Sequence, residues 1–463
     1  MIFPIEFKSK GGNNYIYDFL RNRINYLKNS QERDFIYNRY KKISLMKKRL
    51  PRKISINVTK YYQKIANCSN LILNVTDLCN FQCLYCYYKN SSNSRSSVED
   101  KDMPFEIAKN AIDYFNKLTN SEHRISRYGR KTIGFYGGEP LLNFDLIEKC
   151  IHYARSLNFR DSLNFNITTN GSLLDDKKIY FLIKNNFNVL ISLDGPKKEH
   201  DKFRINQGGK GTFNVVWRNI KRIYEISKEY FINNVGFNAI YCEFHELFKI
   251  SEFFQDKYFK ENIIRVGKAS GLGKEFYLMI EKDFFDMNYY QNFKLQYNRL
   301  RNIFIESMIM GKRPSRYICS LFLQYFESFI KKKYIDYKDR LRALREGQIG
   351  TCFPGSIRLY VTTDGNFHMC ERVDKHFSIG DYRKGIEYNK VIDILNYYYK
   401  EVYVHCIFCE AMNICQSCIA TFANNGVLNN RKYCEKIKNS LLQLLIDYVS
   451  IMEKNPMAFH ELR

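Results

Sequence analysis

Six short apolar runs, each ending in a polar or glycine-bearing loop, constrain the fold of this chain more than any other feature. They are "NLILNVTDLC" (70–79), "KTIGFYGGEP" (131–140), "FNITTNG" (165–171), "NVLISLDGP" (188–196), "NVGFNAIYC" (234–242) and "IIRVGKASG" (263–271). Helical patterns such as "PFEIAKNAIDYFNKL" (104–118) and "FDLIEKCIHYARSL" (144–157) separate most of them. Strand and helix in alternation mean βα units and a parallel sheet. Six units fall short of the eight that close a barrel. The expected fold is therefore α/β, a partial (β/α)6 parallel barrel over residues 70–282. In such folds the loops after the strands carry the chemistry.

Residues 1–69 place two β-prone runs around a turn, "NNYIYDFLRNRINYLK", ahead of basic helical sequence such as "YNRYKKISLMKKRL", which predicts a small N-terminal α+β region. Residues 283–350 read as a mostly helical connection, and 351–463 as a domain of short segments punctuated by cysteine. The N-terminal "MIFPIEFKSKGG" has no apolar run of signal-peptide length, and no uncharged apolar stretch is long enough to span a membrane. The expected location is the cytoplasm, where thiols stay reduced and fourteen cysteines read as metal or cluster ligands rather than disulfides. The formal charge is 73 − 48 = +25. The basic residues are spread along the chain rather than gathered into a stripe, so nucleic acid is not the expected partner. An acidic peptide segment suits such a surface better.

"NVTDLCNFQCLYCYY" (74–88) packs Cys79, Cys83 and Cys86 into eight positions. A structural zinc takes four ligands and a disulfide framework takes pairs. A [4Fe–4S] cube has four iron corners. Three thiolates on one loop hold three of them and leave one iron open to chelate a small molecule through an amine and a carboxylate. From the motif alone, a zinc site or chance clustering remains an alternative.

The run "CNFQCLYC" resembles the radical S-adenosylmethionine enzymes, whose signature is C-x3-C-x2-C after the first strand of a partial barrel. The other loops carry the same resemblance in the same order. "GGEP" (Gly137, Gly138, Glu139, Pro140) is similar to the motif where backbone and Glu139 meet the cofactor's amino group, and "TTNGSLL" places Asn170 after the third strand. "SLDGPKKEHDKFR" supplies Ser192 and Arg204, which the resemblance assigns to the methionine carboxylate, a task suited to guanidinium geometry. Tyr85 matches an aromatic position beside the adenine. The implied cofactor is S-adenosylmethionine, and the implied electron donor is a flavodoxin or ferredoxin.

Near the C-terminus the chain reads C-x12-G-x4-C from Cys352 through Gly365 to Cys370, then C-x2-C-x5-C-x2-C at Cys406, Cys409, Cys415 and Cys418, and finally Cys434. This resembles the SPASM extension, which binds two auxiliary [4Fe–4S] clusters, for three clusters in all. It departs at Cys418, where three intervening residues are commoner than two. The resemblance assigns Cys406, Cys409, Cys415 and Cys434 to one auxiliary cluster. It assigns Cys352, Cys370 and Cys418 to the other, with Cys319 the candidate for its fourth place and an open iron the alternative. Two C-x2-C pairs also fit a zinc ribbon. Cys150 and Cys242 read as small buried apolar residues. Glu371, directly after Cys370, stands where the related sulfatase maturases carry an aspartate. It is a candidate base, or the ion-pair partner of Arg372 or Arg383.

The resemblance covers roughly residues 70–450. It implies a peptide maturase acting on a ribosomally made precursor peptide with a leader, most simply by a thioether bond from a cysteine sulfur to carbon. An anaerobic sulfatase maturase forming formylglycine and a carbon–carbon cross-linking cyclase are alternatives, and a zinc-containing RNA-binding protein is a distant one. Residues 1–69 would either take the leader as an added strand or merely cap the barrel.

Overall fold

The computed structural model describes residues 3–46, 50–90, 101–124, 129–269, 287–330, 342–344, 347, 349–415, 417–428 and 431–460. Three strands, β1 (Ile5–Lys8), β2 (Asn14–Asp18) and β3 (Arg23–Tyr26), open the chain as an antiparallel sheet in the order β1-β2-β3. β2 and β3 are the two β-prone runs of the sequence. β1 is a third strand, whose four residues alternate apolar and charged side chains in a run too short to stand out alone. The helix Ser30–Met46 follows. The buried Asp18 fastens it to the sheet through Arg39 (Nη1 to Oδ2, 2.9 Å) and Tyr40 (OH to Oδ1, 3.0 Å).

The six apolar runs form β4 (Asn70–Thr76), β5 (Lys131–Gly137), β6 (Leu163–Thr169), β7 (Asn188–Ser192), β8 (Val235–Tyr241) and β9 (Ile263–Lys268). Each pairs parallel with the next, which makes the expected partial barrel. The last of the quoted runs ends at residues 270–271, which lie outside the described residues. The helix Phe105–Thr119 buries Ile107, Ala108, Ala111, Ile112, Phe115 and Leu118 on one stripe, and Phe144–Ser156 buries Leu146, Ile147, Cys150, Ile151 and Ala154 in the same way. Cys68, Cys150 and Cys242 are fully buried. Among the described residues no helix is long and apolar enough to cross a membrane.

The cysteine-rich segment does not fold apart from the barrel. β10 (Arg358–Val361) pairs parallel with β4, Arg358 opposite Asn70 and Val361 opposite Leu73. β11 (Asn366–His368), β12 (Gly380–Asp381) and β13 (Gly385–Ile386) continue antiparallel, giving one sheet in the order β13-β12-β11-β10-β4-β5-β6-β7-β8-β9. The free edge of β4 is thereby covered, which also removes a template for unwanted strand pairing. The C-terminal helix Arg431–Lys454 carries Cys434 in its first turn. It packs on the helix Met287–Ile309, where Arg301 Nε meets Asp447 Oδ2 at 2.7 Å. Glu453 near its end accepts from Asn13 Nδ2 (2.7 Å) and Tyr15 OH (3.0 Å), tying the N-terminal sheet to the C-terminus.

A second tie joins the start of the barrel to the segment after β10. Asp77 is buried. It takes the Thr363 hydroxyl on Oδ2 (2.7 Å), 286 residues away in sequence, and Asn74 Nδ2 (2.7 Å) and the Tyr88 hydroxyl on Oδ1. Thr363→Val keeps the shape and leaves one buried carboxylate oxygen without that partner. A loss of about 1–3 kcal/mol is expected in denaturant unfolding. An unchanged midpoint would mean that this bond does not hold the two segments together.

Candidate active site

The loop that follows β4 is held by its neighbours' backbone. Gln82 N donates to Ile205 O (2.8 Å) and Leu84 N to Phe203 O (2.9 Å), with an antiparallel bridge between Phe81 and Asn206. Gln207 Nε2 donates to Cys79 O at 2.9 Å. On the other side Glu139 N donates to Leu78 O (2.8 Å) and Gly138 N to Thr76 O (2.9 Å). No side chain fits at this approach. A Cβ on Gly138 would lie 2.2 Å from Leu78 O, and one on Gly137, whose φ is +141°, would lie 2.2 Å from Thr76 O. The two glycines therefore serve first to seat the cysteine loop against β5.

Cys79, Cys83 and Cys86 are partly exposed in this loop. Burial pushes the Cys83 thiol up to about 12, against the pull of the Arg204 guanidinium. Three thiols on a loop braced from both sides are a donor set that suits an iron–sulfur cube. Among the described residues no three His, Cys, Asp or Glu side chains already stand at metal-ion spacing, so the fit rests on donor chemistry and the loop.

The loops after β5, β6 and β7 all reach the cysteine loop. Glu139 is fully buried; its Oε1 accepts from Thr169 Oγ1 (2.6 Å) and Leu141 N (3.1 Å), and its Oε2 from Asn170 N (2.6 Å). Burial raises its pKa to about 7, and those three hydrogen bonds restrain the rise. Asn170 Nδ2 donates to Asn80 Oδ1 (2.8 Å), and Asn80 Nδ2 to Ser172 Oγ (2.9 Å), so the cysteine loop and the loop after β6 share an amide ladder. Ser192 ends β7 in register with Asn238. Arg204 and Tyr85 sit together, the guanidinium 5.4 Å from the ring centroid. Both converge on Asp194. Arg204 donates to it twice, Nε to Oδ2 (2.9 Å) and Nη2 to Oδ1 (3.1 Å), and the Tyr85 hydroxyl bonds Oδ2. Unforeseen in the sequence is a tyrosine pair, Tyr87 OH to Tyr136 OH at 2.7 Å, in the electrostatic neighbourhood of Cys86 and Glu371.

The C-terminal cysteines fall into two neighbourhoods. Burial pushes the Cys406 thiol up to about 12, and Cys409, Cys415 and Cys434 add to the push. Burial raises Cys352 as well, with Cys418 adding to it. Arg358 faces both Cys352 and Cys370 and donates Nη1 to both oxygens of Glu371, at 2.9 and 3.0 Å. The ion-pair partner of Glu371 is thus Arg358 rather than Arg372 or Arg383. The β10–β11 register, Tyr360 opposite His368, is what carries Arg358 to the Cys370–Glu371 level. Cys319 lies on the helix Arg316–Phe322, its thiol donating to Pro314 O (3.5 Å) beside Arg313 and Arg316. Ser320 of that helix binds Val266 N of β9 (3.0 Å), at the far end of the sheet from β13.

Residues 73–249 match the radical SAM superfamily. A cysteine-type anaerobic sulfatase-maturating enzyme of Clostridium novyi (strain NT) is 33% identical over 170 residues, 36% of this chain and 43% of that one. One from Clostridium perfringens (strain ATCC 13124) is 27% identical over 317 residues, 65% of this chain and 74% of that one. The chain thus spans less than half the length of the first of these relatives. The structure of native anSMEcpe with bound AdoMet and Kp18Cys peptide superposes with a TM-score of 0.59 at 21% identity, over 85% of this chain and 98% of that one. This chain carries a radical S-adenosylmethionine domain. It is homologous to the anaerobic sulfatase maturases and shares their overall fold, with a cysteine-rich C-terminus of the kind that sequence predicts.

The role expected of Glu139 has a pH signature. Its carboxylate form is the stronger acceptor for the N–H groups of the cofactor's amine, so S-adenosylmethionine should bind more tightly as pH rises through about 7. Glu139→Gln should lose that increment while keeping the part that comes from the cofactor's own amine. Identical titration curves for the two proteins would remove Glu139 from the cofactor's amino group.

Proposed function

We propose that this protein is a peptide-modifying radical S-adenosylmethionine oxidoreductase with three [4Fe–4S] clusters, one held by Cys79, Cys83 and Cys86 and two by the C-terminal cysteines. The carrying observation is the pairing of β10 with β4. By register it puts Cys370 level with Asn70 at the start of β4, while the cysteine loop leaves the other end of that strand. The paired Tyr87 and Tyr136 stand within electrostatic reach of both Cys86 and Glu371, so two redox centres would flank one substrate space. When bound, the cofactor and clusters supply hydrogen abstraction from a substrate carbon and an acceptor for the electron released when the new bond closes.

The chain's own residues would bind, orient and take up protons. Arg204 and Ser192 are assigned to the methionine carboxylate, Glu139 and the Gly137–Gly138 backbone to the amino group, Asn170 to the same pocket and Tyr85 to the adenine side. Glu371, 15% exposed at its side chain and held by Arg358, is assigned to accept the proton that leaves with the oxidation. Its pairing with Arg358 fixes it in place beside Cys370. Cys319, on its helix against β9, is the candidate for the fourth place of the Cys352, Cys370 and Cys418 cluster, with an open iron the alternative.

The proposed substrate is a precursor peptide whose leader docks as an added strand on the N-terminal sheet, where β1 and β3 are both edges. The proposed electron donor is a flavodoxin or ferredoxin. The proposed product is a thioether. The glutamate at 371 in place of an aspartate and the short spacing before Cys418 support this over aldehyde formation. Formylglycine formation is the second reading, and the homology to sulfatase-maturating enzymes favours it.

Mass spectrometry of a cysteine-bearing peptide after turnover separates the two. A thioether costs about 2 Da and leaves the thiol unable to alkylate, whereas formylglycine from cysteine costs about 18 Da. Carbon–carbon closure costs the same as a thioether but spares the thiol. Folded Cys370→Ala should keep 5′-deoxyadenosine formation and lose the peptide product. A normal product yield in that variant would contradict the role given to the Cys352, Cys370 and Cys418 set.

A further inference from the structure

Arg204 cannot be aimed by its own side chain. It hangs beyond β7 on a segment that pairs with the cysteine loop, and a long flexible stem gives a guanidinium no fixed direction. Asp194 supplies one. Its two oxygens take Arg204 Nε (2.9 Å) and Nη2 (3.1 Å), the Tyr85 hydroxyl and the Ile240 backbone N–H (2.9 Å). Asp194 is wholly buried, with Arg204 6% and Tyr85 8% exposed. The carboxylate spends one guanidinium edge and leaves the other, the Nη1 hydrogens and one on Nη2, for a second acceptor.

The pair is also locked from behind. The Asp194 backbone N–H can only donate, so its contact with His200 Nδ1 (3.4 Å) makes that nitrogen the acceptor. His200 then carries its proton on Nε2 and donates to Thr212 Oγ1 (3.1 Å), whose hydroxyl donates in turn to Arg204 O (2.7 Å). The chain of bonds runs in one direction, from the Asp194 backbone to the Arg204 backbone. Burial lowers the His200 pKa to about 4, consistent with this single neutral tautomer.

We propose that Asp194 is the positioning residue that fixes the free edge of Arg204 toward the methionine carboxylate of S-adenosylmethionine and anchors Tyr85 in the same frame. This rests on the reading that Arg204 binds that carboxylate, and the test separates the two. The measurement is equilibrium binding, on anaerobically reconstituted enzyme, of S-adenosylmethionine and of its decarboxylated analogue. The analogue lacks only the carboxylate, which Arg204 would hold together with Ser192 and the open iron.

The unmodified enzyme should prefer the cofactor over the analogue by about ten-fold or more, the scale of a charge-assisted contact. Asp194→Asn should lower that ratio several-fold, to the share left by Ser192 and the open iron, while analogue affinity changes less than about two-fold. A merely structural role would weaken both ligands alike and leave the ratio intact, and that result would overturn the inference. If Asp194→Asn fails to take up iron, Asp194→Glu serves. It keeps the charge but displaces the guanidinium by a methylene, and a full preference retained there would overturn the inference as well. Arg204→Lys tests the underlying reading. If it keeps the preference, both statements fall. If it loses the preference while both Asp194 variants keep it, only the positioning role falls.

Discussion

The structure depends on how closely the backbone after β5 approaches the loop after β4. Gly137 and Gly138 lie against the Thr76 and Leu78 carbonyls at separations where a Cβ would overlap an oxygen. That contact sets the level of Cys79 and, through Asn80, of Asn170. The antiparallel contact with residues 203–206 fixes the opposite side of the loop and brings Arg204 and Tyr85 to Asp194. The cysteine loop is clamped between two chain segments, with a single bridge at Phe81. The residues that would meet a cofactor are placed by that clamp rather than by the strands alone.

Burial gives the clamp its electrostatic character. An arginine and an aspartate taken out of water together are stable only while both are hydrogen-bonded. Here Asp194 accepts from four donors. Burial works to raise its pKa, yet the Arg204 guanidinium holds the carboxyl below the ordinary range. Glu139 is the opposite case. It is equally buried, has hydrogen-bond donors but no cationic partner among them, and its pKa rises to about 7. The two carboxylates flank the cysteine loop and differ because one already has its cation.

Much of this was legible in the sequence. β4–β9 were readable because each is a local run of apolar residues, and the motif loops because their residue types are local too. β10–β13 were not readable. They are two to four residues long, and β10 is defined by a partner strand far away in sequence. The same reason hid the pairing of Glu371 with Arg358, since a hairpin rather than sequence adjacency brings them together. The role of Asp194 is not legible either, because nothing local in "SLDGP" says that the carboxylate is buried or that its cation comes ten residues later. The basic surface, +25 overall, remains consistent with an acidic peptide segment as the partner, and the N-terminal sheet offers it two edges.

The central claim is that ten cysteines, divided three, three and four, hold three iron–sulfur clusters around one substrate space. Iron and acid-labile sulfide counted on anaerobically purified, reconstituted protein test it directly. The account predicts about twelve iron atoms per chain, falling by about four when Cys79, Cys83 and Cys86 are together replaced by alanine, with cofactor cleavage abolished. Protein holding zinc and no iron, or a triple variant that still releases 5′-deoxyadenosine under reduction, would contradict it.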